Sequence, residues 1–488
     1  MKMVGWLLGI VVLFVGVAYV LLFTPLGNSI IKPIIETEIQ KQIHIPSKLK
    51  RFSVEMSNLD ILLEINPSNT IALKGTYSLL LQSFDINYDV DAGELATLKQ
   101  ITGADIRGDL HLSGKVNGSK EKMLIDGHSN MADSKTTFSA VLKDFQPKSA
   151  KVNIKDLKLQ KLLYMIKQPH YGDALLDLDV VVDNADVENL QGIVKSRIKN
   201  GLLDSRYFTK AYRFKLPMPK STFHAVATTI LNNNSIDTKA DIFSTLVDLH
   251  VKKVHFDMKD TTLKSDYKVK VDNLDKLYFV TKRHLKGSFI ANGELKKAKD
   301  MDFTIHSNIA GGKVDVKLHN DDFHADINKL QTLDILDILI YPKIFKSNID
   351  AKIDYNLAVQ KGRFKGFLSN GKFIKNQVFD LRKQIFRGDV SADINRENIL
   401  ASLNLRSNTS LIMTKDTYLN SKTNHIKSVI DISANGNPFV VKLDGNIERP
   451  KVRIDAGKIL KKEVTKAVVK ELKRHLDKDV SNLLKRLF

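Results

Sequence analysis

The chain has no cysteine among its 488 residues. That absence excludes a thiol nucleophile, a cysteine-ligated zinc ribbon, a thiolate-held iron–sulfur cluster and a disulfide framework. It suits an exported chain that relies on no disulfide. The His-Glu-x-x-His, Gly-x-Ser-x-Gly and Gly-x-x-x-x-Gly-Lys-Ser/Thr patterns are also missing, so zincin, α/β-hydrolase and P-loop chemistry lack their signatures. No basic stripe interleaved with stacking aromatics occurs, because Lys and Arg are spread along the chain and alternate with Asp; nucleic acid is not the expected partner. With 43% hydrophobic and 27% charged residues the composition is that of a globular chain, not a polytopic membrane protein or a disordered one. What is present is basic: 75 Lys and Arg against 55 Asp and Glu leave a formal charge of +20, which fits attraction to anionic lipid headgroups.

Both ends of the sequence point to membrane. From Val4 to Phe23 there are 20 residues without a charge, enough for a helix of about 30 Å, the hydrocarbon thickness of a bilayer. Trp6 and Tyr19 stand near its ends as interfacial rings should, with Leu13 at its middle. A cleavable signal peptide would have a shorter apolar core and a small-x-small site; the run instead continues into Thr24-Pro25-Leu26-Gly27. We therefore expect a retained anchor within residues 1–27, its N-terminus cytoplasmic and the body exported. Residues 455–488 carry ten Lys/Arg and five Asp/Glu. Their apolar residues, including Leu460, Val464, Val468, Leu472, Leu476, Leu483 and Leu487, recur every three or four positions as one helical stripe. Such a basic amphipathic helix packs on the body of the protein, lies on an anionic membrane surface, or docks on a protein of the inner or outer membrane.

Between them, residues 28–454 read as β structure. Ile349, Ala351, Ile353, Tyr355 and Leu357 alternate with Asp350, Lys352, Asp354 and Asn356; Leu176, Leu178 and Val180 alternate with Asp177 and Asp179. Each run predicts a strand with one dry and one wet face. Asn117-Gly118, Asn200-Gly201, Asn292-Gly293 and Asn370-Gly371 are expected as hairpin turns. A unit recurs, in which a short Leu-rich helix is followed by a strand opened by Gly. Its helices carry Leu95 and Leu98; Leu159, Leu162 and Leu163; Leu274 and Leu277; then Leu333, Leu336 and Leu339. Taking Gly108, Gly172, Gly287 and Ser347 as equivalent leaves one interval near twice the others. A degraded copy without its helix is therefore expected between about residues 215 and 271.

The linking helices are too few to cover so much apolar sheet. The dry faces must meet each other, as in a sandwich, or meet something that is not protein. At about 15 residues per strand and turn the chain holds on the order of 25 strands, which would extend about 120 Å edge to edge. A twisted antiparallel sheet of that length curls into a trough with an apolar floor, and such a trough suits acyl chains.

This organisation resembles the AsmA-like family, related to the TamB and bridge-like lipid-transfer proteins of Gram-negative envelopes. Leu22-Phe23-Thr24-Pro25-Leu26-Gly27 looks like the Thr-Pro-x-Gly that leaves the anchor in that family. Gly445-Asn446-Ile447-Glu448-Arg449-Pro450-Lys451-Val452 looks like its closing strand, followed by a terminal helix ending in Leu487-Phe488. The resemblance implies a single-pass inner-membrane anchor, a periplasmic β-groove without cofactor or catalytic centre, and phospholipid as the bound partner in outer-membrane lipid homeostasis. Ile349, Ala351, Ile353, Tyr355, Leu357, Leu176, Leu178 and Val180 are then the expected lipid-facing residues. An ordinary sandwich core, in a non-catalytic envelope scaffold, accounts for the same positions. The histidines, such as His250, His255, His319 and His324, read as strand and hairpin residues rather than metal ligands. Arg107-Gly108-Asp109 and Arg387-Gly388-Asp389 both read as strand openings.

Overall fold

The computed structural model describes residues 23–455, apart from 187–188, 342, 375–380 and 448–449. The anchor positions Val4, Trp6, Leu13 and Tyr19, and the terminal stripe from Leu460 to Leu487, lie outside the described residues. Among the described residues no helix is long and apolar enough to cross a membrane. The chain divides into two compact units, one within residues 1–211 and 220–242, the other within 212–219 and 243–488.

The first unit is an antiparallel meander. Its strands are β1 (Ser47–Val54), β2 (Asn58–Ile65), β3 (Asn69–Ser78), β4 (Ser83–Ala92), β5 (Leu110–Ser119) and β6 (Met123–Ser129). These continue as β7 (Lys135–Lys143), β8 (Gln146–Lys158), β9 (Gly172–Asn184), β10 (Gln191–Leu203), β11 (Thr222–Asn232) and β12 (Ser235–Ser244). From β1 to β11 every strand pairs with its sequence neighbour. The second unit repeats the plan with β13 (Asp248–Asp257), β14 (Thr262–Val271), β15 (Phe289–Lys297), β16 (Met301–Ile309), β17 (Gly312–His319), β18 (Asp322–Gln331) and β19 (Phe345–Asn356). Then come β20 (Lys361–Phe373), β21 (Phe386–Asn395), β22 (Asn398–Arg406), β23 (Leu411–Asn420), β24 (His425–Ala434), β25 (Asn437–Asn446) and β26 (Lys451–Asp455), again paired in order. The protein is therefore mainly β, as the alternation predicts. Among the described residues no ladder closes β1 onto β11 or β13 onto β26, so neither meander forms a barrel.

Helices interrupt the meander at regular places: α1 (Pro25–Ile43), α2 (Lys99–Thr102), α3 (Leu159–Met165), α4 (Ser205–Ala211), α5 (Tyr278–Thr281) and α6 (Thr332–Ile338). Single 3-10 turns precede α2 and α5, and another, Leu381–Lys383, follows β20. Between these connections the strands fall in blocks of four, four and two (β1–β10), then again four, four and two (β11–β20), with β21–β26 following the last turn. The hydrogen bonds repeat with the blocks. Leu95 N donates to Gly108 O at 2.9 Å and Leu274 N to Gly287 O at 2.9 Å. The Thr102 hydroxyl donates to Leu98 O, and Thr281 to Leu277 O, at 3.1 and 3.2 Å. Arg107 N meets Met165 O as Lys286 N meets Ile338 O. The left-handed residues pair off too: Gly108 with Gly287 (φ 96° and 97°), Asp156 with Lys329 (both 54°) and Lys167 with Ile340 (57° and 58°). An internal duplication therefore relates β1–β10 to β11–β20, with repeats longer than the one-helix repeat read from the sequence.

In each unit the short helices sit at the end where the even-numbered strands finish, and a buried core collects beneath them. Ala92, Leu95, Ala132, Ile154, Leu157 and Met165 form one cluster. Leu368, Leu381, Phe386, Leu405, Ala434, Phe439 and Val441 form the other. Helix α1 has a different task. Nineteen residues at 1.5 Å make it about 28 Å long, and eight at about 3.3 Å make β1 about 26 Å, so one lies along the other. Asn28 Nδ2 donates to Val54 O (3.0 Å) and its Oδ1 accepts from Val54 N (3.3 Å); Glu36 accepts from Leu49 N and Gln40 donates to Ser47 O. Side chains thus occupy the ladder groups of a free sheet edge that would otherwise pair with another chain.

Three expectations need correction. The Asn-Gly pairs are not turns; all four lie inside strands. Asn200 and Asn370 take positive φ (50° and 52°) at bulges where the ladders to β11 and β21 slip. The copy placed between residues 215 and 271 is preceded by a helix after all, α4, which lacks a Leu stripe and is started by Asp204, whose carboxylate accepts from Arg206 N and Tyr207 N. Finally, the matching corner falls at Ala174 and Ser347, both buried, rather than at Gly172 and Ser347. Of the two Arg-Gly-Asp triplets, Arg387–Asp389 lies in the opening residues of β21, and Arg107–Asp109 stands directly before β5.

Candidate functional site

Register turns the alternating residues into rows that run across strands. In the first unit Tyr88, Gly114, Gly127, Phe138, Val152, Val180 and Val194 are successive partners from β4 to β10. In the second, Ile305, Val316, Ala325, Ile353, Phe364, Ala392 and Ala401 are partners from β16 to β22. A parallel row there holds Leu295, Phe303, Leu318, Phe323, Tyr355, Gly362 and Ile394. Apart from the small Ala325, the tightly packed Val316 and the glycines, these side chains are only half-buried, although their strands are paired on both sides. A closed sandwich would bury the middle of such rows completely. Each row is an apolar surface with its backbone satisfied and its side chains uncovered.

Aromatic rings lie flat on this surface because glycines make room for them. Tyr88 crosses Gly114 and its hydroxyl donates to Asp126 O at 3.1 Å; Tyr267 crosses Gly293 and donates to Thr304 O at 2.5 Å. A Cβ on Gly114 or Gly293 would stand 2.6 Å from the phenol oxygen and closer still to the backbone carbonyl. The Tyr267 ring also stacks on Phe303, centroids 5.3 Å apart and planes 5° from parallel. Burial pushes the Tyr267 phenol up to about 12, and the Tyr88 phenol is raised by the same cause and by Asp126. Both phenols are thereby held neutral and turned into the sheet. The face presents carbon.

The opposite face is charged and self-complementary. His306 pairs with Asp315 (2.6 Å), His319 with Asp302 (2.7 Å), and His324 bridges Asp354 (2.6 Å) and Asp326 (3.0 Å). Lys352 approaches Asp326 and Arg363 meets Asp393. Hydrogen bonds donated to the Asp354 and Asp302 carboxylates raise the His324 and His319 pKa values. These ladders solvate the back of the sheet.

The structure sorts the eight sequence-predicted face residues into four groups. Val180, Ile353 and Tyr355 are half-buried members of the open rows. Leu176, Leu178 and Ile349 pack against the buried clusters at the helical end. Ala351 is buried, 6% exposed, beside the Phe364 ring that crosses Gly366. Leu357 is not on the face: β19 stops at Asn356, and Leu357 is a 47% exposed turn residue whose N–H reaches Asp321 O. Sequence reading missed Tyr88, Phe138 and Tyr267; each is an aromatic at an alternating apolar position, and Tyr88 and Tyr267 face a glycine one strand on. No protein-family model, curated protein or solved structure matches the chain.

Proposed function

We propose that this protein binds and transfers phospholipid, its half-buried rows shielding acyl chains, from an inner-membrane anchor into the periplasm as the AsmA-like resemblance implies. The observation that carries the reading is the incomplete burial of Val180, Ile353 and Tyr355 in the interior of paired sheet. Apolar surface of that extent in water is costly unless a ligand or membrane covers it. A buried CH₂ is worth roughly 0.8 kcal/mol, so a chain of about sixteen carbons half-covered by one wall gains on the order of 5 kcal/mol before ordering costs. The named rows present apolar side chains, and where they continue into hydroxyls, Thr229 beside Val194 and Thr417 beside Ala401, these bond to Thr238 and Ser428 within the sheet, which suits a carrier of many lipids better than a receptor for one.

The test is to purify the full chain from membranes and quantify co-purifying phospholipid. Ile353→Asp should lose most of that lipid while strand content persists, because the position is only half-buried. Unfolding of the variant would indicate an occluded protein core, and unchanged lipid content would remove the face from the mechanism.

A further inference from the structure

The hairpin tip joining β3 to β4 reads Ser78-Leu79-Leu80-Leu81-Gln82, and its leucines are 58%, 95% and 77% exposed. Single exposed leucines are ordinary; three consecutive ones at a tip form an apolar knob that nothing in the described chain covers. The tip is locally organised, with Leu81 N donating to Ser78 Oγ (3.2 Å) and Gln82 at φ 48°.

Its place in the fold says what it meets. Hairpin tips between odd and even strands all lie opposite the helical end. The β1–β2 tip carries Met56, 54% exposed, and is tied to β3 by Tyr77 N to Ser57 O (2.9 Å) and the Tyr77 hydroxyl to Glu55 O (2.5 Å). Helix α1 begins at this same end, since Asn28 holds both ladder groups of Val54, the last residue of β1. Directly before α1 stands the uncharged run Val4–Phe23. Leu26, in the first turn of α1, is 73% exposed. Two hairpins on, the β7–β8 tip adds Phe145, 62% exposed, with Asp144 N bonded to Lys120 O of the intervening tip. An apolar knob, two further apolar tips and the point of entry of a bilayer-length apolar segment share one end of the first unit.

We propose that the Leu79–Leu81 tip inserts into the bilayer interface beside that segment, so that the strands of the first unit stand on the membrane with the helical end away from it. The occupant of the knob is lipid bilayer. The inference rests on the anchor in the proposed function but not on the sheet face carrying lipid. It gives the apolar rows a mouth at the membrane surface.

Because the chain has no cysteine, one introduced thiol is unique. Full-length Leu80→Cys, labelled with an environment-sensitive fluorophore and reconstituted in vesicles of mixed zwitterionic and anionic phospholipid, should lose most of its emission when spin-labelled lipid is included. The same label on Ile101→Cys, at the helical end, should not. Equal, weak quenching at both positions in vesicles that hold the protein overturns the proposal, and so does failure of the protein to float with vesicles. Thiol crosslinking between two Leu80→Cys copies without lipid quenching would identify a second copy as the occupant, also against it. Replacing Leu79, Leu80 and Leu81 by Ser should abolish interface insertion while lipid on Ile353 persists in detergent. Quenching at position 80 with no lipid ever found at Ile353 would leave this inference standing and remove the transfer reading.

Discussion

Substituting Gly293 by Ala tests whether aromatic rings laid over glycines build the apolar floor. The added Cβ would stand 1.8 Å from Thr304 O and 2.6 Å from the Tyr267 hydroxyl, so the ring must lift and β15 and β16 must part. Overpacking costs about 1–3 kcal/mol, and losing the phenol's hydrogen bond about 1 kcal/mol more. A total of about 2–4 kcal/mol corresponds to local opening roughly thirtyfold to several hundredfold more frequent. A chain of repeated strands does not unfold in one step, so the assay is amide hydrogen exchange of the full chain over Thr262–Ile309. Gly114→Ala should act alike in the first unit, where the Cβ would meet Asp126 O at 2.0 Å and the Tyr88 hydroxyl at 2.6 Å. Gly436→Ala is the control: φ is 82° but the site is open, so only backbone strain of about 1–2 kcal/mol applies, confined to its own turn. Combined with Tyr267→Ala, the Gly293→Ala effect should shrink by at least about 0.5 kcal/mol, because the two residues compete for one space. Unchanged exchange in Gly293→Ala, or strictly additive effects in the double variant, would refute the reasoning.

Other outcomes follow from the edge, the wet face and the tip. Asn28→Ala removes both side-chain partners of Val54 and should cost about 1–3 kcal/mol locally, read as faster exchange in β1 and a greater tendency of copies to associate through that edge. The raised pKa of His324 means its protonated form is favoured by folding, so its contribution is fully present below the ordinary value of 6.5 and is lost as pH rises through the raised folded value. Exchange across β18–β19, corrected for intrinsic rate, should therefore lose protection over that window, and His324→Gln should flatten the dependence; protection that instead rises with pH would contradict the pairing. Reconstituted Leu80→Cys should be quenched by lipid-borne spin labels as described above.

Much of the sheet was legible because its causes are local. Strict alternation from Ile349 to Tyr355 and from Leu176 to Val180 places those residues on one face regardless of what the neighbouring strands contain. Leu-rich connections at Leu95, Leu159, Leu274 and Leu333 gave the helical punctuation; Leu95, Leu163 and Leu274 are buried at strand ends, and Leu333 and Leu336 are half-buried. The misreadings have non-local causes. Asn292-Gly293 carries a hairpin signal, yet Gly293 is needed in mid-strand because a tyrosine 26 residues earlier reaches across it. Helix α1 was hidden by Pro33 in its interior and by the alternation of polar residues that serve β1 rather than solvent. Helix α4 has no leucine at all. The duplication in blocks of four, four and two is written in hydrogen bonds and left-handed residues, such as Asp156 and Lys329, whose identities differ while their geometry is the same.

The central claim, that the half-buried rows are covered by lipid, is tested most directly by a photo-crosslinking side chain at Ile353 in the full chain, in membranes with labelled phospholipid. The account predicts a covalent lipid adduct at Ile353 and at Val180, and none at the neighbouring wet-face position Lys352. Absence of lipid adducts at Ile353 and Val180, or equal labelling at Lys352, would contradict it.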